Sequence, residues 1–100
     1  MTTVHGPNWD SSKPIRDQVA WEAHASFMDN LVNEGFIVLG GPLDDGEQAL
    51  LVVAAADEGE VRQRLGADPW NPMDLLDVGK VQRWSIWLDG RPRPSTVERQ

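Results

Sequence analysis

Ala49-Leu50-Leu51-Val52-Val53-Ala54-Ala55-Ala56 carries no polar residue on either face, so a strand built from it needs cover on both sides. Just before it, Phe36-Ile37-Val38-Leu39 reads as a buried strand stopped by Gly40-Gly41-Pro42, and Asp44-Asp45-Gly46 is turn chemistry between the two. Upstream, Ile15, Val19, Ala23, Phe27 and Leu31, with Ala20, Met28 and Val32 alongside, recur at spacings of three and four. They predict one amphipathic helix opening near Pro14, capped by Asp10, Ser11 or Ser12, and closing at Gly35. Downstream, Asp57 and Glu60 have the form of a capping box for a short helix with Val61 and Leu65, ended by Gly66. Pro69 and Pro72 mark a loop or single turn through Leu76. Val81 to Leu88 then alternates, with Trp84, Ile86 and Leu88 on one face and Arg83 and Ser85 on the other, which predicts a last strand. Residues 2–5 complete the set as a short first strand, broken by Gly6-Pro7.

The resulting order, strand-helix-strand-strand-helix-strand, is the split βαβ pattern of an α+β, ferredoxin-like βαββαβ sandwich. Both helices then lie on one face of the sheet. The opposite face, which residues 49–56 require to be covered, has no cover within the chain, and a second copy packing sheet to sheet would provide it. A homodimer is the expectation. Residues 1–90 form the one domain that a hundred-residue chain accommodates, and 91–100, opening with Arg91-Pro92-Arg93-Pro94-Ser95, reads as a flexible tail unsuited to a sheet interior.

Composition narrows the function classes. Sixteen acidic against nine basic residues give a formal charge of −7, which opposes contact with nucleic acid or anionic lipid. The absence of cysteine removes disulfides and thiolate metal sites. Neither a basic-then-apolar leader nor about 18 consecutive apolar residues is present, so a cytoplasmic location is the default expectation, with no membrane partner.

Few residues offer chemistry. His24 falls on or beside the buried stripe of the first helix, four residues after Ala20 and four before Met28. The topology brings the end of the second helix, and with it Asp68, toward the first helix. A carboxylate held against one imidazole nitrogen fixes the tautomer and stabilises the protonated ring, so the pair can move protons in a small pocket. Plain alternatives stand beside this: a core histidine, and Asp68 as the cap of a turn beginning at Pro69. Trp9, Trp21 and Trp70, flanked by loops or polar residues, are candidate pocket walls, whereas Trp84 and Trp87 read as core or dimer contacts. Gly40-Gly41-Pro42-Leu43 lacks the pattern of a phosphate loop, and Asp44, Asp45 and Glu47 lack the register of a calcium loop. His5 and His24 have no metal-binding spacing, and no G-x-S-x-G elbow exists for serine catalysis.

Several short motifs recur together: Gly6-Pro7-x-Trp9-Asp10 after the first strand, His24-x-x-Phe27-Met28-x-x-Leu31-x-x-x-Gly35, Gly40-Gly41-Pro42-Leu43, and Asp68-Pro69-Trp70 before a tryptophan-bearing strand. In order and spacing the chain resembles the YCII-related (YciI-like) family of small dimeric α+β barrel proteins, over most of residues 5–88. The resemblance implies a homodimer formed through the sheets and a pocket in which the family's paired His and Asp correspond to His24 and Asp68. The residues expected to bind substrate beside that pair are Trp9, Trp21, Trp70, Gly41, Pro42 and His5. Lyase-type or dehydrochlorinase chemistry on small aromatic acids or quinols is suggested for a few relatives. Two departures stand out: the first strand is short, and His5 occupies a position where close relatives would carry Arg, which removes an anion clamp there.

The enzymatic reading has His24 as general base or acid, Asp68 orienting it and the tryptophans as apolar walls, without metal or cofactor, in an elimination or isomerisation. The alternative is a non-catalytic dimeric module that binds a small ligand or assists a partner domain, with His24 and Asp68 as a structural hydrogen bond.

Overall fold

A computed structural model describes residues 1–44 and 46–92. The sheet has four antiparallel strands: β1 (Thr2–His5), β2 (Ile37–Pro42), β3 (Gln48–Val53) and β4 (Leu76–Val78), in the spatial order β2-β3-β1-β4. Two helices intervene, α1 (Trp21–Asn33) between β1 and β2 and α2 (Glu58–Gly66) between β3 and β4. Leu31 of α1 and Leu65 of α2 join Phe36, Ile37 and Leu51 in one buried cluster, so both helices cover the same face of the sheet. The chain is thus α+β, as its pattern of elements predicts.

Side-chain alternation sets what each strand contributes. Leu51 is buried under the helices, while its neighbour Leu50, facing away, remains 46% exposed together with Leu39 at 52%. The α2 start follows the sequence pattern: Asp57 accepts the Glu60 amide at 2.9 Å, and the Glu60 carboxylate accepts the Ala56 amide at 2.7 Å. Gly66 is the last residue of that helix, and Ala67 caps it.

Four expectations are corrected. The first helix does not run continuously from Ile15. A single 3-10 turn (Ile15–Asp17) is followed by a break at Gln18–Ala20, and α1 starts at Trp21. The buried Gln18 side chain causes the break: its amide donates to the carbonyls of Asp10 at 2.7 Å and Lys13 at 3.1 Å and accepts from the Asp10 amide. Ala20 then takes a left-handed conformation (φ 58°) to redirect the chain. As a result Ile15 and Val19 lie exposed rather than in the core.

Gly40-Gly41-Pro42 does not stop β2 but forms its second half. At the sheet edge the missing proline amide is tolerated, and Leu51 packs where a side chain on Gly40 would stand. β3 in turn ends at Val53, so Ala54, Ala55 and Ala56 lie beyond the ladder. The last strand is the three residues Leu76–Val78, not Val81–Leu88. β1 is too short to hold a longer partner, and residues 81–88 run on past its end without strand pairing. Trp84 and Trp87 are accordingly exposed by 64% and 90%, outside any core of this chain. Apart from Arg91 and Pro92, the expected tail lies outside the described residues.

Candidate functional site

His24 enters the site one turn into α1, where its amide donates to the Ala20 carbonyl at 3.1 Å. Asp68 arrives from the other side, in the turn that leaves α2: its own amide donates to Leu65, and its carbonyl accepts from Asn71. Both side chains are buried, at 7% and 2% exposure, and His24 Nδ1 lies 2.7 Å from Asp68 Oδ2. The second carboxylate oxygen, Oδ1, accepts the Trp70 amide at 2.9 Å. Asp68 therefore caps the turn at Pro69 and holds the imidazole at once; the two sequence readings describe one side chain.

Trp70 is the centre of the cluster and has no exposed surface. Its ring lies flat against His24, with centroids 3.8 Å apart and planes 5° from parallel, and its Nε1 donates to the Val19 carbonyl at 2.7 Å. Trp9 meets Trp70 edge-on at 5.5 Å, and His5, the last residue of β1, stacks on Trp9 at 3.7 Å. Trp21 tilts against both His24 (5.8 Å) and Trp70 (6.0 Å). The five rings form a continuous line from the end of β1 to the first turn of α1. Such pairs add about 0.5–1.5 kcal/mol each beyond the area they bury.

The Gly6 turn fixes the near end of this line. Its amide donates to Leu75, Asn8 bonds the Asp74 and Met73 carbonyls, and a β-carbon on Gly6 would collide with the Asp74 carbonyl. Close approach of two loops is thus the reason for glycine here. Asp10 anchors the next loop. The Ser12 hydroxyl (2.5 Å) and amide (3.0 Å) both donate to its carboxylate and hold that carboxyl below its usual range.

Of the residues expected at a site, the structure joins His24, Asp68, Trp9, Trp21, Trp70 and His5. Trp70 belongs inside the cluster rather than at an open wall. Gly41 and Pro42 sit at the same end of the sheet but on β2, separated from β1 by β3, and among the described residues no ring contact or side-chain hydrogen bond links them to His24. Three participants were not legible in the sequence: Gln18, the Val19 carbonyl, and Arg16, whose guanidinium lies 6.0 Å from the Trp21 ring. A glutamine interrupting an apolar stripe was the one available signal.

The chemistry of the pair follows from its geometry. An ionised carboxylate only accepts, so Nδ1 carries the proton in the neutral ring and Nε2 keeps the lone pair. Among the described residues no group of three His, Asp or Glu side chains could hold a metal ion, and no buried side-chain nitrogen or oxygen is left without a partner. No protein-family model, curated protein or solved structure matches this chain.

Proposed function

We propose that this chain is a cofactor-free acid-base enzyme acting on a small organic substrate, of lyase or isomerase type, built as a YciI-like, ferredoxin-like protomer of a homodimer. The observation that carries the reading is the buried 2.7 Å bond from His24 to Asp68, whose other oxygen is itself fixed by the Trp70 amide. A base needs one nitrogen free and the other oriented, and this arrangement provides both. His24 Nε2 takes a proton from an acidic carbon of the substrate. The electron pair left on that carbon then expels a leaving group or shifts a double bond, and the imidazolium returns the proton to product or solvent. Asp68 offsets the positive charge while it exists, and the face of Trp70 adds a cation–π contribution.

The strand order β2-β3-β1-β4 with both helices on one face supports the ferredoxin-like assignment. The exposed Leu39 and Leu50 on the other face support dimerisation through the sheets. Sedimentation at micromolar concentration should find a dimer, and a folded monomer there would refute that part of the proposal.

A second reading, a ligand-binding or accessory module without turnover, draws on the same site. His24 is only 7% exposed and lies flat on Trp70, as a structural histidine does. His24→Gln separates the two. The enzyme reading expects a folded protein that exchanges or eliminates no carbon-bound proton from a panel of small aromatic acids and quinols on which the unmodified protein acts. A panel that the unmodified protein binds but never turns over would leave the module reading standing and overturn the enzyme.

A further inference from the structure

The line of rings from His5 to Trp21 is anchored by a side chain that belongs to none of them. Gln18 is 4% exposed and stands between the 3-10 turn and α1. Its Nε2 donates to the carbonyls of Asp10 (2.7 Å) and Lys13 (3.1 Å), and its Oε1 accepts the Asp10 amide at 3.1 Å. Two acceptors and one donor converge on it, which a primary amide satisfies in full. A carboxylate in its place would set an oxygen against two carbonyls.

The chain neighbours of these bonds connect them to the site. Asp10 follows Trp9 directly, so a grip on both its amide and its carbonyl fixes the backbone that holds Trp9 edge-on to Trp70. Val19 follows Gln18 directly, and its carbonyl accepts Trp70 Nε1 at 2.7 Å, the one polar bond an indole can make. The Gln18 carbonyl accepts the Trp21 amide at 3.2 Å, and the Ala20 carbonyl accepts that of His24 at 3.1 Å. Ala20 itself is left-handed at φ 58°, a conformation that is costly for a residue with a β-carbon and persists where its surroundings enforce it. Gln18 is the buried polar anchor beside that turn.

We infer that Gln18 is a clasp on the aromatic cluster, a positioning residue that fixes the face of Trp70 against His24. Among the described residues it makes no hydrogen bond to either ring, so it acts through others. Its three bonds tie the loop after Trp9 to the turn before α1, and thereby set both supports of Trp70 together: the edge of Trp9 and the Val19 carbonyl. With the clasp released, the Ala20 turn relaxes, the Val19 carbonyl moves, and Trp70 loses its hydrogen bond and its registry on the imidazole. This geometry stands apart from turnover; only its chemical consequence rests on the acid-base reading proposed above. There the Trp70 face favours the imidazolium, so a ring that slides off His24 weakens the base at the moment it carries charge.

The test compares Gln18→Met, which keeps the length of the side chain and loses all three bonds, with Val61→Ala, which opens a cavity beside α2. NMR reads the stack in each variant through the carbon-bound ring protons of His24, which the Trp70 face shifts upfield, and through the Trp70 indole N–H. In Gln18→Met most of the upfield shift should be lost. The indole N–H should also exchange at least about tenfold faster than the change in global stability accounts for. Val61→Ala should keep both signals in place while losing stability. Unmoved His24 ring protons in a destabilised Gln18→Met would make Gln18 a structural residue only and overturn the inference. If Gln18→Met does not fold, hydrogen exchange in the unmodified protein decides. The Asp10 amide and the Trp70 indole N–H should open together, with protection agreeing within about tenfold, and an Asp10 amide that exchanges freely while the indole stays protected would overturn the clasp. On any substrate that the unmodified protein turns over, Gln18→Met should lower kcat by as much as about 100-fold. Rings that move with turnover unchanged would overturn the acid-base reading and leave the clasp supported.

Discussion

Replacing Asp68 by Asn keeps the shape of the buried side chain and changes which of its atoms can accept. Two donors face the carboxylate, the Trp70 amide at 2.9 Å and the His24 ring at 2.7 Å, and an amide side chain has one oxygen for the two. The main-chain donor cannot change its nature, so the oxygen stays with Trp70 and the new NH2 turns toward His24. The ring must then accept at Nδ1, and its proton moves to Nε2. A charge-assisted bond worth about 1.5–3 kcal/mol gives way to a neutral one worth about 0.5–1.5, so the variant should lose roughly 1 kcal/mol. For a domain of this size that lowers the melting midpoint by about 4–8 °C, while the fold persists. Long-range proton–nitrogen NMR on labelled protein reads the tautomer directly. The expected result is an Nδ1–H ring in the unmodified chain and an Nε2–H ring in Asp68→Asn. If the enzyme reading holds, turnover should fall by as much as about 10⁴-fold, since the basic nitrogen has been exchanged for a donor. The same tautomer in both proteins would refute the coupling and, with it, the proposed site.

Removing the carboxylate outright, as Asp68→Ala, leaves two buried donors unpaired at about 1–3 kcal/mol each, so urea denaturation should show a much larger loss than for Asp68→Asn; equal losses would mean that the hydrogen bonds contribute little. Gly6→Ala should cost about 1–3 kcal/mol in the same assay, because the Asp74 backbone has to move away from the new methyl, and an unchanged midpoint would contradict the close packing of those loops. Ser12→Ala should raise the titration of the Asp10 carboxyl, followed by carbonyl NMR shifts, since both the Ser12 hydroxyl and its amide hold it low. With the folded value depressed, whatever Asp10 contributes to stability is complete above the ordinary carboxylate range and fades as pH falls toward the lowered value.

How far the sequence could be read depended on whether a signal was local. The Asp57 and Glu60 cap is contained within four residues, and it formed as read. His24 and Asp68 are 44 positions apart, yet helix periodicity placed one and element order placed the other near it. The interruption of the first helix was hidden because periodicity counts apolar positions and does not register that Gln18 satisfies three backbone groups by turning inward. The last strand was misplaced for a different reason. Val81–Leu88 has the better alternation, but a strand needs a neighbour, and β1 provides one only as far as Leu76–Val78. Gly40-Gly41-Pro42 misled in the opposite sense: residues that break strands in isolation are accommodated at an edge, where one side of the backbone makes no ladder.

The face-to-face packing of His24 on Trp70 also gives the molecule an optical readout of its own chemistry. Excited indole passes electron density to an imidazolium far more readily than to a neutral imidazole, and at 3.8 Å the two rings are in van der Waals contact. Trp70 is sealed from water, so it emits to the blue of Trp84 and Trp87, which stand in solvent. A proton gained by His24 should therefore dim the blue edge of the emission more than the red edge, which a fluorescence titration of the protein would read. Any molecule that gives the ring a proton, takes one, or slides the ring off its neighbour reports its own arrival without a dye or a coupled assay.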